Sequence, residues 1–139
     1  MEAINELSES EKQLLQFSLP IINKNTEFLV IRFYYHFLQT KAGLLFKNTK
    51  MEDQYKMFAS SLNAIITHIA NPYLLMDNLD VLIQSHVKYG VMEEHIDYFI
   101  ESFMKALGEV FNNEQDKTIL KLWKKLITSI MLYFKEHLI

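Results

Sequence analysis

Between residues 114 and 137 the apolar side chains Ile119, Leu122, Trp123, Leu126, Ile130, Met131 and Phe134 recur at intervals of three and four, with no glycine or proline among them. That spacing stacks them on one side of an α-helix and does not match the alternation of a half-buried strand. The same rhythm runs through 93–111, where Ile96, Phe99, Ile100, Phe103, Leu107 and Val110 fall on one side. It recurs through 51–70, where Met51, Tyr55, Phe58, Leu62, Ile65, Ile66 and Ile69 do so. With 3 glycines and 2 prolines in 139 residues, the chain lacks the punctuation that a turn-rich β architecture needs. The fold class expected is all-α.

The remaining elements follow from their start and stop signals. Ser8 and Glu11 have capping-box spacing, so a first helix begins there and runs toward Phe17. Pro20 in "SLPIINKN" should kink it or begin a new helix. Thr26 is placed to cap "EFLVIRFYYHFLQ", which is apolar on nearly every side and therefore reads as a helix buried by several neighbours. Gly43 marks an irregular connection. "ANPY" ends the helix over 51–70, because proline disfavours helical geometry at Asn71, and a short helix covers about 74–88. "NNEQDK" is the turn before the last helix. Six or seven helices of uneven length are expected in a single domain spanning residues 1–139, with the last two packed on each other through a short loop.

Charge and composition remove several classes of function. A formal net charge of −3 offers no general attraction for nucleic acid. The absence of cysteine excludes disulfides, thiolate zinc sites and iron–sulfur clusters, and suits a reducing, cytoplasmic setting. "MEAINELSESEK" is polar and acidic, unlike a targeting signal, and no apolar run reaches membrane-spanning length, so no membrane partner is expected. The apolar surfaces over 26–39 and 114–137 leave monomer and homodimer both open.

One polar residue interrupts an apolar stripe. Leu79, Leu82, Ile83 and His86 share a helical face, so an imidazole occupies a core-facing position just before Gly90. None of the five histidines has a second histidine one turn away with a carboxylate nearby, as a helical zinc site would, and no repeated Glu-x-x-His marks a di-iron bundle. A metal centre needing only one protein ligand remains, and haem is the foremost of these because the porphyrin supplies four nitrogens. The plainer reading is a core histidine bonded to a backbone carbonyl. Gln54, beside Met51 and Phe58, and Tyr34, among Val30, Ile31, Phe37 and Leu38, are two further polar tips on apolar faces. Each has an equally plain reading as a core residue with a satisfied polar end.

The stretches "LPIINKN…RFYYHFL", "LLF", "MEDQYKMF", "SHVKYGVMEEH" and "ILKLW" occur in an order that resembles the globins, specifically the single-domain bacterial haemoglobins and the globin halves of flavohaemoglobins. The pattern H-x-x-Y-G-V-x-x-E-H from His86 to His95 is the most specific of them. The resemblance implies a globin fold around a haem b (iron protoporphyrin IX) pocket. It implies His86 as the proximal iron ligand and Phe46 packed on the haem. Phe58 would face the ligand, with Leu82 and Val91 as apolar surface beside the ring. Tyr34 would donate to bound dioxygen with Gln54 assisting. Lys88 and Tyr89 are near where a propionate would emerge, although a solvated Lys88 is the plainer reading. His36, His68, His95 and His137 read as surface or helix-end residues. Two departures stand out. The family's flavohaemoglobins buttress the proximal histidine with a tyrosine and a glutamate, whereas Ile96 and Leu138 fall at those positions. The path from Tyr34 to Gln54 is also slightly short. The missing polar pair weakens the push of electron density toward iron, and Ser85 or a backbone carbonyl is left to orient His86.

The functions implied are reversible binding of O₂, with CO and NO as further ligands, for oxygen transport or for NO detoxification with a separate reductase. No flavin or nicotinamide domain is present in the sequence, so nitric oxide dioxygenase activity would draw on an external electron donor. A gas sensor acting through a partner protein and a haem-free globin-fold scaffold are the competing readings.

Overall fold

The first helix begins where its cap predicts. Ser8 Oγ accepts from the Glu11 amide while Glu11 Oε1 accepts from the Ser8 amide, and α1 follows over Glu9–Lys24. In this computed structural model, which describes residues 6–69, 71–88 and 91–138 and the side chains of all of these except Pro72, Val87 and Lys88, α1 is continuous through Pro20. Of the two outcomes expected at that proline, the restart does not occur, because the helix runs on through it. Pro20 lies on the exposed side, so the carbonyl of Gln16, which it cannot serve, faces water.

Helix α2 (Thr26–Phe37) begins as soon as α1 ends, and Leu29, Val30, Phe33, Tyr34 and Phe37 are buried along it. A 3₁₀ segment, Lys41–Phe46, is capped by Thr40, whose hydroxyl accepts from the Ala42 amide. Gly43 is obligatory there for a steric reason: a Cβ at that position would sit 2.3 Å from the Leu38 carbonyl oxygen. Helix α3 spans Met51–His68, with Glu52 and Asp53 in its first turn, where negative charge suits the helix dipole. Helix α4 spans Pro72–Lys88, starting two residues earlier than the sequence expectation. Proline is compatible with the first helical position, and Asn71 Oδ1 accepts from the Leu74 amide at 3.4 Å. Helices α5 (Glu93–Val110) and α6 (Lys117–Glu136) are joined through a 3₁₀ turn, Glu114–Asp116.

Helix α2 is the hub: it packs on α3 and most extensively on α5, which in turn packs on α6. Every residue expected to face inward from the last helix is buried, and Trp123 is fully so. Its indole N–H donates to Ser18 Oγ at 2.8 Å, and Ser18 Oγ donates to the Leu15 carbonyl at 2.9 Å, which ties α6 to α1 through a satisfied polar pair in the core. Among the described residues there is no strand, and no helix is long and apolar enough to cross a membrane. Gly90 and Tyr89 lie outside the described residues, as does the side chain of Lys88, and so do the readings made of them.

Candidate functional site

The aromatic residues of α2 set one wall of the site. Phe33 is buried with its ring 4.7 Å from Phe58 edge-on, 4.9 Å from Phe37 and 4.9 Å from Phe99, so one ring fastens α2 to both α3 and α5. Full burial of such a ring stabilises the fold by about 1.5–3 kcal/mol. Tyr34, next on the helix, is 3% exposed and surrounded by Phe46, Tyr55 and Phe58 at centroid distances of 5.6, 5.5 and 5.6 Å. Phe46 reaches this cluster from the 3₁₀ segment and also meets Phe37. Four of the residues singled out from sequence, Tyr34, Phe46, Gln54 and Phe58, are thus brought together from three separate elements.

The polar contact inside this cluster is specific. Gln54 Nε2 donates to the Tyr34 hydroxyl oxygen at 2.9 Å. The phenol proton is left with no acceptor among the described side chains and backbone. Burial pushes the Tyr34 phenol up to about 12, against which the Gln54 hydrogen bond acts only partly, so the group stays a neutral O–H donor throughout the ordinary pH range. A buried, preoriented donor without a protein acceptor is suited to a small guest carrying partial negative charge.

His86 stands apart from this cluster, on α4. Its Nδ1 is 2.6 Å from the Leu82 carbonyl oxygen, one turn earlier on α4, and its ring stands edge-on to Phe134 of α6 at 5.2 Å. A backbone carbonyl accepts only from an N–H, so Nδ1 carries the proton and Nε2 keeps its lone pair. Nε2 has no protein partner among the described residues. The alternatives left open for the orientation of His86 therefore resolve to the backbone. Ser85 is exposed, and its hydroxyl donates to the Val81 carbonyl instead. Leu82 is half-buried beside His86, and the Val91 amide donates to the His86 carbonyl at 3.4 Å, closing the chain over the end of α4. Ile96 is buried, and Leu138 packs at the core's edge, so neither position supplies a polar partner to the imidazole. No hydrogen bond or aromatic contact joins His86 to the Tyr34 cluster. Among the described residues no group of three or more histidine, aspartate or glutamate side chains is placed to hold a metal ion, so a metal held by this chain would have to bring most of its own ligands.

A globin family model matches residues 28–133. The chain belongs to the globin family. That family membership implies haem binding, and the donor types fit: one imidazole on α4 whose Nε2 has no partner among the described residues, and a buried phenol bonded to the half-buried Gln54 amide within an aromatic cluster. This globin is similar to a flavohemoprotein of Rhodopirellula baltica, at 27% identity over 119 residues that cover 83% of the chain and 29% of the relative's length. Its fold matches an engineered carbene transferase made from a nitric oxide dioxygenase candidate of Rhodothermus marinus, with a TM-score of 0.81 at 23% identity over 95% of this chain and 93% of that one. It also matches a bacterial globin from Campylobacter jejuni, with a TM-score of 0.77 at 24% identity, covering 93% and 94% of the two chains.

Sequence reasoning missed two polar clusters in this globin. Glu109 of α5 forms an ion pair with Arg32 and a hydrogen bond with the His36 imidazole, both on α2, and the Arg32 guanidinium, its strongest partner, holds the carboxyl below the usual range. Tyr133 donates to Asp80 at 2.7 Å, fastening α6 to α4 six residues before His86, and this bond raises its phenol to about 12. Only contacts across 53 to 77 residues create these pairs, and no local spacing announces them. His95 was expected at a surface or helix end. It does stand at the start of α5, but buried, because its Nδ1 accepts from the Met92 amide and closes the first turn.

Proposed function

We propose that this globin holds haem through His86 Nε2 and binds dioxygen reversibly, with CO and NO as further ligands. The haem, when bound, would supply an iron centre able to take up a diatomic gas. His86 presents its lone pair because Nδ1 is engaged by the Leu82 carbonyl, and the edge of Phe134 limits rotation of the ring. Phe46, Phe58, Leu82 and Val91 provide apolar surface that excludes water. The observation carrying the reading is the Tyr34–Gln54 pair: Gln54 donates to the phenol oxygen, which leaves the phenol proton free to donate to a guest. That proton would favour a guest that carries partial negative charge over CO.

A backbone acceptor is weaker than a carboxylate, and Ile96 and Leu138 add none. His86 should therefore behave as an ordinary neutral ligand, which suits binding and release better than cleavage of an O–O bond. A second reading, NO detoxification, follows from the fold shared with the Rhodothermus nitric oxide dioxygenase candidate. It would take electrons from a donor separate from this helical domain. Spectra of purified protein in ferric, ferrous, CO and O₂ states test the proposal. A Soret band that shifts with CO and a stable oxygenated form are expected. A colourless protein after reconstitution with haem refutes it and leaves the scaffold reading.

A further inference from the structure

Between Phe28 and Met51 the chain places four of its fourteen lysines and arginines and none of its seventeen acidic residues. On a chain of net charge −3, this makes the segment locally positive, bounded by Glu27 on one side and Glu52 and Asp53 on the other. Arg32 is neutralised by Glu109, but Lys41, Lys47 and Lys50 are exposed, with no carboxylate within salt-bridge distance among the described residues. The same segment carries an apolar stripe. Phe28, Ile31, Tyr35 and Leu38 fall at helical spacing on the outer side of α2, where Tyr35 is 55% exposed, and Leu44 on the 3₁₀ segment is 78% exposed. The close approach of Gly43 to the Leu38 carbonyl folds that segment against the end of α2, so Leu44 and the lysines of the segment follow directly on the Leu38 end of the stripe.

We propose that this surface docks an acidic electron-transfer protein that reduces the haem. The inference rests on the haem reading above. Two observations select this occupant. Self-association through the patch would oppose its three lysines to the same three in a second copy, which repulsion disfavours. An anionic membrane surface needs a larger basic cluster, of about four to eight lysines or arginines. Position adds a third argument: Phe46 lies within the segment and touches Tyr34, so a partner seated here stands next to the candidate haem wall. An apolar centre with a charged rim is the anatomy of a small transient interface, in which charge sets the encounter rate. In the docked pair one electron would leave the anionic hydroquinone of the partner's flavin, giving the neutral semiquinone, and convert ferric haem to ferrous.

The test uses the haem-loaded, isotope-labelled globin and an acidic flavodoxin as probe. Backbone amide shifts should change within residues 28–50. Affinity should fall about tenfold between low and physiological salt. A K41E/K47E/K50E variant with unchanged circular dichroism and Soret band should bind at least tenfold more weakly, and L44S several-fold more weakly. Haem reduction by flavodoxin hydroquinone should slow in parallel, while reduction by a neutral deazaflavin radical stays the same. Shifts elsewhere on the molecule, salt-independent binding or an unaffected triple variant would overturn the proposal. So would concentration-dependent dimerisation through the patch, or binding of phosphatidylserine vesicles by the same lysines without any flavodoxin effect. Flavodoxin shifts over 28–50 in a chain that takes up no haem would strike the haem reading while supporting the surface. A normal Soret band without docking would do the reverse.

Discussion

Replacing Tyr34 by phenylalanine removes one oxygen atom from a buried cluster and leaves its ring contacts in place. In the wild type that oxygen accepts from Gln54 at 2.9 Å, and its proton is free to donate. A hydrogen bond to a guest with partial negative charge, shielded from water, contributes about 1.5–3 kcal/mol, which is about tenfold to somewhat over a hundredfold in dissociation rate. Gln54 is only half-buried and can turn its amide toward the guest when the phenol is gone, so the lower half of that range is expected. The variant's own stability should change little, because the hydroxyl's desolvation is removed together with its bond. The assay is stopped-flow displacement of O₂ by CO, with CO association measured by flash photolysis. O₂ release should accelerate at least tenfold in Tyr34→Phe, and CO association should stay within about threefold. An O₂ off-rate within twofold of wild type would refute the assignment of Tyr34 as donor and transfer the role to Gln54.

Three further outcomes follow from the geometry. Ser18→Ala leaves the indole N–H of the fully buried Trp123 without an acceptor, and should cost about 1–3 kcal/mol in urea denaturation; an unchanged midpoint would show that the pair contributes nothing. Gly43→Ala places a Cβ 2.3 Å from a backbone oxygen that cannot move aside as a side chain would, so it should destabilise the fold by more than about 1 kcal/mol, measured the same way. Tyr34 keeps its proton to about pH 12 in the folded chain but loses it near 10 when unfolded, so the unfolded state binds fewer protons between those values and stability falls as pH rises from 10 to 12; denaturation midpoints across that range should decline less steeply in Tyr34→Phe.

Much of this molecule could be read from local pattern. The inward face of α6 needed only the recurrence of Ile119, Leu122, Trp123, Leu126 and their successors, because a helix with a single apolar stripe has one way to bury it. The candidate site residues stood out from the sequence for a related reason. Tyr34, Gln54 and His86 are polar tips on otherwise apolar faces, and the order of motifs around them matched a known family. Continuity through Pro20 was not legible, since proline's cost depends on whether the carbonyl it abandons faces water, and that is a tertiary fact. Nor was the cap of α5 by His95, which relies on the imidazole accepting where a serine or aspartate is usual. The Glu109 and Asp80 pairs were hidden because their partners are far apart in sequence. The positive island was visible as a charge count but acquired meaning only when Gly43 was seen to press its two halves together.

The central claim is that the Nε2 of His86 ligates haem iron. The most direct measurement is the spectrum of ferrous His86→Gly after haem reconstitution, with and without added imidazole, beside the iron–histidine stretching band of the wild type. The account predicts that the variant loses the wild type's ferrous spectrum, that imidazole restores it, and that the wild type's stretch falls at the frequency of a carbonyl-bonded ligand. A His86→Gly protein whose ferrous spectrum and haem retention equal those of the wild type without imidazole would contradict it.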